Sequence, residues 1–262
     1  CTREAALIVT RATDASLASL VSRALLRRDV QTGRYDIHEL LRQYAEQWLE
    51  QSGQAGIILL AHQAYFAAFT AEATELLKTN DLKALELLDA DFDNVRLAFE
   101  RAIAAGTPEA LLPFSFVWHY YDIRGRWHEG VKIVGTAIDA LTGTDSLALA
   151  KLLTGYVWLH IDLRQLPSWL LAPAQAGYEM LLRLGAERDL PLAAIGYSWL
   201  LGTDRPRADA LRRQSYAIAV KYGDEWERSI AGIRIAFSLT DSGWSAEAGS
   251  LLREAQVSLD RA

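Results

Sequence analysis

The chain is poor in sulfur: Cys1 is its one cysteine and Met180 its one methionine among 262 residues. A single thiol excludes an intrachain disulfide and a thiolate-built metal site, and it makes a reducing cytoplasm the default compartment. The chain does not open on an initiator, and the expectation is a piece of a longer protein. No apolar run approaches the roughly 18 to 20 residues that span a bilayer. The best stretch, 190–201, is soon followed by Asp204-Arg205. No charged and apolar leader opens the chain. No Gly-Lys pair occurs, so there is no phosphate-binding G-x-x-x-x-G-K-[ST] loop, and G-x-G-x-x-G and G-x-S-x-G are absent too. Only five of the 27 basic residues are lysines. The net charge of −6 and pI near 5.4 disfavour a surface that grips phosphate backbones. What is plentiful is apolar surface, 51% hydrophobic against 23% charged residues, which excludes wholesale disorder and supplies a sizeable core.

The pattern along the chain is helical. Asp14-Ala15-Ser16-Leu17 starts a helix with Leu17, Leu20, Val21 and Leu25 at helical spacing. Two short runs around Gln31-Thr32-Gly33 read as a β-hairpin. His38 to Gln51 is helical, with Leu40, Leu41, Tyr44, Ala45, Trp48 and Leu49 on one side. Helix, hairpin, helix over 1–51 is the C-terminal part of a winged helix. Gly53 and Gly56 mark a break. A helical arm over 52–106 follows: one helix from Ile57 to Lys78, then one capped by Asn80-Asp81 and stopped by Gly106.

From 107 to 262 the chain reads as about four helical hairpins. Gly155-Tyr156-Val157-Trp158 returns as Gly196-Tyr197-Ser198-Trp199 and as Ala236-Phe237-Ser238-Leu239, with Trp118-His119-Tyr120-Tyr121 a weaker match. A period of about 40 residues is the mark of stacked units that bury their apolar faces against each other. Small residues at Gly155, Gly196 and Ala236 are expected to let the two helices of a hairpin approach, and Tyr121, Trp158 and Trp199 to fill the core. The run Trp118, Tyr121, Gly125, Trp127, Gly130, Val134, Ala137 resembles tetratricopeptide spacing. The predicted fold is all-α, a right-handed superhelix of tetratricopeptide-like hairpins behind a partial winged helix.

Three stretches together resemble one family: His38-Glu39-Leu40-Leu41-Arg42-Gln43-Tyr44-Ala45, Asp93-Asn94-Val95-Arg96-Leu97-Ala98, and Arg124-Gly125-Arg126-Trp127-His128-Glu129-Gly130. They look like the region after the nucleotide-binding module of bacterial STAND proteins, the signal-transduction ATPases with numerous domains. The resemblance implies a sensor and arm that bind an inducer, a small molecule or a protein, and hold the ATPase module inactive until it arrives. It also implies that His38, in Ile37-His38-Glu39, stands where a Met-His-Asp-type motif reaches the phosphate of bound ADP. ATP or ADP and magnesium would belong to that module, and no cofactor is expected in this chain. Oligomerisation on activation is a property the resemblance lends to the longer protein. The alternative reading is a stand-alone tetratricopeptide-like scaffold for a peptide or protein partner.

Enzyme chemistry finds no footing. His38, His62, His119, His128 and His160 form no His-x-x-x-His pair, and no metal site is expected. Asp89, Asp91 and Asp93 fan around their helix. Neither a membrane nor a nucleic acid is an expected partner. The candidate ligand surface is the concave groove lined by the first helix of each hairpin. Aligning on the small position turns His119, Tyr156, Tyr197 and Phe237 toward it, with Asp122 and His160 further along and Arg124 and Arg234 adding charge. The other placement for these aromatics is between neighbouring hairpins.

Overall fold

The computed structural model describes residues 1–241 and 245–259, and side chains outside 237–248 and 258–262. The chain divides into two compact units, one of residues 1–69 and 90–101, the other of 70–89 and 102–262. The expected arm is therefore shared between both units and forms no unit of its own.

Unit 1 opens with α1 (Arg3–Thr10), capped by Thr2. Then comes α2 (Asp14–Ser22), whose Thr13 and Ser16 form a reciprocal capping box. Strands β1 (Arg27–Arg28) and β2 (Tyr35–Asp36) pair antiparallel, Arg27 with Asp36 and Arg28 with Tyr35. Cys1 joins this hairpin: its ammonium donates to the Tyr35 carbonyl at 2.7 Å, and the Tyr35 N–H donates to the Cys1 carbonyl at 2.8 Å. Helix α3 (Glu39–Gln51) follows His38, whose Nδ1 accepts the Leu40 N–H at 3.3 Å. The apolar side of α3 exists but buries no residue fully: Leu41 and Leu49 are half-buried. Leu40, Tyr44 and Trp48 are 69%, 60% and 59% exposed.

Helices α4 (Ala55–Leu76) and α5 (Asp81–Ala105) are the two long ones. Asn80 caps α5, and Gly106, in the left-handed region at φ 62°, ends it. Helix α5 breaks at Asp91, where φ is −121° and ψ 16°. Arg34 fills the break. Its guanidinium binds the Asp91 carboxylate at 2.6 and 2.9 Å and the Ala90 carbonyl at 2.9 Å. Asn94 extends the network, donating to Asp91 at 3.0 Å and facing His62 at 3.3 Å. Burial lowers the His62 pKa, with the Asn94 contact opposing.

In unit 2, α6 (Pro108–Leu111) and an irregular turn lead into α7 (Trp118–Ile123) and α8 (Trp127–Ala140). The next pairs are α9 (Leu147–Asp162) with α10 (Leu171–Arg183), α11 (Leu190–Leu200) with α12 (Arg205–Tyr222), and α13 (Glu225–Asp241) with α14 (Ser245–Leu259). The all-α hairpin stack is as the period predicts. The turn at Gly243 lies outside the described residues.

The small residues act differently from expectation. A Cβ on Gly155 would lie 2.2 Å from Trp118 Cδ1, and one on Gly196 would lie 3.2 Å from Val157 and 3.6 Å from Trp158 Nε1. Trp118 and Trp158 belong to the first helix of the preceding hairpin. These glycines therefore let successive hairpins approach. Approach within a hairpin falls to glycines of the second helix. A Cβ on Gly130 would lie 2.9 Å from Tyr121 Cβ, and one on Gly177 would lie 3.1 Å from Leu153 Cβ. Trp118 and Trp158 stack at 6.0 Å, and Trp158 donates to the Leu192 carbonyl at 3.0 Å. Tyr121 and Trp158 are buried, as expected of core residues. Trp199 is not: it is 37% exposed, with the Arg234 guanidinium 4.8 Å from its ring centroid.

Candidate functional site

Residues four apart share one side of a helix. The unit Trp-x-x-x-Asp occurs twice at the repeat period, as Trp118…Asp122 on α7 and Trp158…Asp162 on α9. Stacking the tryptophans therefore brings the two carboxyls close enough for each to act on the other's titration. Trp127 Nε1 donates to Asp122 at 2.9 Å, and His119 Nδ1 lies 3.7 Å from the same carboxylate.

The two acids have opposite fates. Burial pushes Asp122 up, but His119 and the Trp127 N–H outweigh it and hold the carboxyl below its ordinary range. Burial, and then the facing Asp122, push Asp162 up to about 7, with Arg234 opposing. The pair thus holds one proton near neutral pH, placed on the Asp162 side. The sign of the consequence is fixed. A carboxyl that binds its proton more tightly folded than unfolded favours the fold at low pH. That contribution is lost as pH climbs from 3.8 to about 7. Asp162→Asn, which keeps the neutral shape, is expected to leave the melting temperature unchanged near pH 4 and raise it at pH 8. A pH-independent difference between the variant and the parent would remove the shared-proton account.

The start of α13 closes over one end of this face. Trp226 packs on His119 at 4.9 Å and on Phe116 at 6.0 Å. Lys78 sits 5.0 Å from the Phe116 ring centroid, with carboxylate oxygens of Glu75, Asp224 and Glu227 at 3.4, 3.6 and 3.7 Å. Burial pushes the Glu227 carboxyl up to about 7 against the pull of Lys78.

Of the six groove residues, the structure brings His119 and Asp122 together. Tyr156 and His160 form a separate pair, 4.5 Å apart. His160 is buried, bonded through Nδ1 to the Tyr156 carbonyl and packed on Trp169. Tyr197 is 1% exposed and belongs to the core with Val157, Ile161 and Leu170, so it is no groove residue. Its misplacement follows from the glycines. Because Gly196 receives the preceding hairpin, the next residue turns into the core instead of the concave side. The Phe237 side chain lies outside the described residues. Arg124 is drawn away from the face by Asp89, which also accepts from Tyr120 at 2.8 Å. His38 stands on unit 1, exposed. Asp162 and Trp226 went unnoticed in the sequence; the repeated Trp-x-x-x-Asp was the signal for the first.

Unit 1 holds an apolar cavity of about 490 Å³ walled by α1, α2 and α4, with Val9, Leu17 and Phe66 among its lining. Two of the polar residues on it, His62 and Asn94, face each other. Among the described residues no three His, Cys, Asp or Glu side chains stand together to hold a metal ion, and no helix is long and apolar enough to cross a membrane.

No protein-family profile and no curated protein matches the sequence. Solved structures do. The crystal structure of BtubC (BKLC) from P. vanneervenii shares 16% identity over 76% of this chain and 90% of its own, at a TM-score of 0.52. A STAND protein with a tetratricopeptide repeat sensor, from Pyrococcus horikoshii, shares 13% identity at a TM-score of 0.54. The match covers 99% of this chain, which spans 42% of the length of that protein. Over nearly its whole length, then, the chain has the fold of a part of a STAND protein with a tetratricopeptide repeat sensor.

Proposed function

We propose that the chain is the arm and repeat-built sensor of a STAND-type signal-transduction ATPase of the cytoplasm, and that the face around Asp122 and Asp162 receives the inducer. One observation carries the reading: the fold shared with a STAND protein runs through both units, from the hairpin to the last repeat. Residues 1–51 are then the C-terminal part of the winged helix. His38 uses Nδ1 to cap α3. A neutral ring of that tautomer carries its proton on Nε2, a donor suited to a nucleotide phosphate of the ATPase module. Magnesium and nucleotide belong to that module, and the chain itself performs no catalysis. An inducer shifts the module from resting to active only by binding one arrangement better than the other.

In the protein that carries the nucleotide-binding module, deletion of residues 107–262 is expected to raise basal ATP hydrolysis severalfold, by removing the restraint. An unchanged rate would sink the autoinhibitory role. The second reading, a scaffold for a peptide or protein partner, is favoured by the likeness to BtubC, where the shared fold fills 90% of the chain.

A further inference from the structure

Two guanidinium groups are electrostatic neighbours, and one of them lies over Trp199. Arg212, on α12, is satisfied: its Nε donates to Ser198 Oγ at 3.1 Å and its Nη1 to Asp209 at 3.1 Å. Arg234, on α13, is not. It is half-buried and lies over the Trp199 ring at 4.8 Å, yet among the described residues it makes no hydrogen bond and no ion pair. Burial pulls its pKa below the ordinary value, Asp162 opposes, and the like charge of Arg212 adds to the lowering. Asp162 neutralises it poorly, because burial and the facing Asp122 favour its protonated form.

None of its nitrogens is a buried unsatisfied atom, so the unused donors stand open to a ligand. Contact with the indole face restrains the guanidinium, so less freedom remains to be lost when two oxygens dock. Planar, bidentate contact with a carboxylate or phosphoryl group is what that fork fits best.

We propose that Arg234, held over the Trp199 ring, is the docking point for an oxyanion of a small ligand, a carboxylate or a phosphoryl group, with Arg212 as the second positive charge. The proposal rests on the reading of unit 2 as a sensor and names the chemistry its ligand carries. Asp122 and His119, on the same run of first helices, remain for the ligand's polar remainder.

The test titrates the protein with inorganic phosphate and, separately, with benzoate at low salt, by calorimetry. Saturable one-site binding is expected for at least one of the two, and which one binds identifies the anion. Arg234→Gln is expected to weaken it by about tenfold or more, the loss of a charged hydrogen-bond pair. Arg234→Lys, which keeps the charge without the fork, retains part of the affinity and serves if the Gln variant fails to fold. Arg212→Gln has a smaller effect. Absence of saturable binding by either anion, or equal affinity in wild type and Arg234→Gln, overturns the proposal. Failure here leaves the sensor reading standing if deletion of 107–262 still releases hydrolysis. An unchanged rate in that deletion sinks the sensor reading whatever the anions do.

Discussion

Arg34→Ala is expected to destabilise unit 1 by about 3–5 kcal/mol, the cost of leaving a buried charge without its partner. The Asp91 side chain is 6% exposed, and Arg34 supplies both bonds of a fork to it. The same guanidinium satisfies the Ala90 carbonyl at the break in α5. Truncation therefore strands an anion and a backbone acceptor together, with the Asn94 hydrogen bond and the charge of the Cys1 ammonium left to serve Asp91. Arg34→Lys should recover little, since an ammonium cannot span both carboxylate oxygens and the carbonyl at once. Arg34→Ala with Asp91→Ala should cost less than the sum of the two, because the double variant buries no lone charge. Urea titration gives the loss, and hydrogen exchange of the amides from Asp91 to Arg101 places it. A loss below about 1 kcal/mol, the scale of an exposed pair, would mean that the fork is a surface contact only.

Trp118→Ala should cost about 3–5 kcal/mol in unit 2, from lost burial and the cavity left behind. Trp118 is 3% exposed and fills the space over Gly155. The sharper expectation concerns that glycine. Gly155→Ala in the wild-type chain places a methyl 2.2 Å from the indole and is destabilising by about 1–3 kcal/mol, despite the better helix propensity of alanine. In the Trp118→Ala background the same change loses its clash and becomes neutral or stabilising. The sign reversal in thermal denaturation is the check. Gly135→Ala is the control, since its methyl meets Tyr156 at 3.4 Å. A Gly155→Ala penalty that persists without Trp118 would assign the constraint to backbone geometry instead.

Much of this architecture was readable in the residues. Asp14, Asn80 and Gly106 marked helix ends because caps are local chemistry, and all three stand at helix ends. The repeat and its period were readable because each unit solves the same packing problem. The direction of packing was not. Gly155 and Gly196 say that something comes close, not whether it is the partner helix or the previous hairpin. That ambiguity sent Tyr197 to the groove and Trp199 to the core, the reverse of their places. Helix α1 is eight residues long and too short to carry much periodicity. The break at Asp91 has no local signature either, because a side chain 57 positions away sustains it. At the candidate site, Asp122 and His119 were legible as a polar pair one helical turn apart. The raised titration of Asp162 depends on burial between two successive hairpins, which spacing does not report.

The tryptophan-over-glycine contact also bears on how such a chain changes length. The hairpin of α9 and α10 offers a ring at one edge, Trp158 over Gly196, and a hollow at the other, Gly155 beneath Trp118. Excising one whole period, from Gly155 to just before Gly196, would set Trp118 above Gly196 and leave the joint intact. Shortening by half a period would set a ring against a side chain. Lineages carrying this joint are thus free to gain or lose hairpins whole, and the reach of the array becomes a quantity adjusted in steps of about forty residues while its joints stay the same.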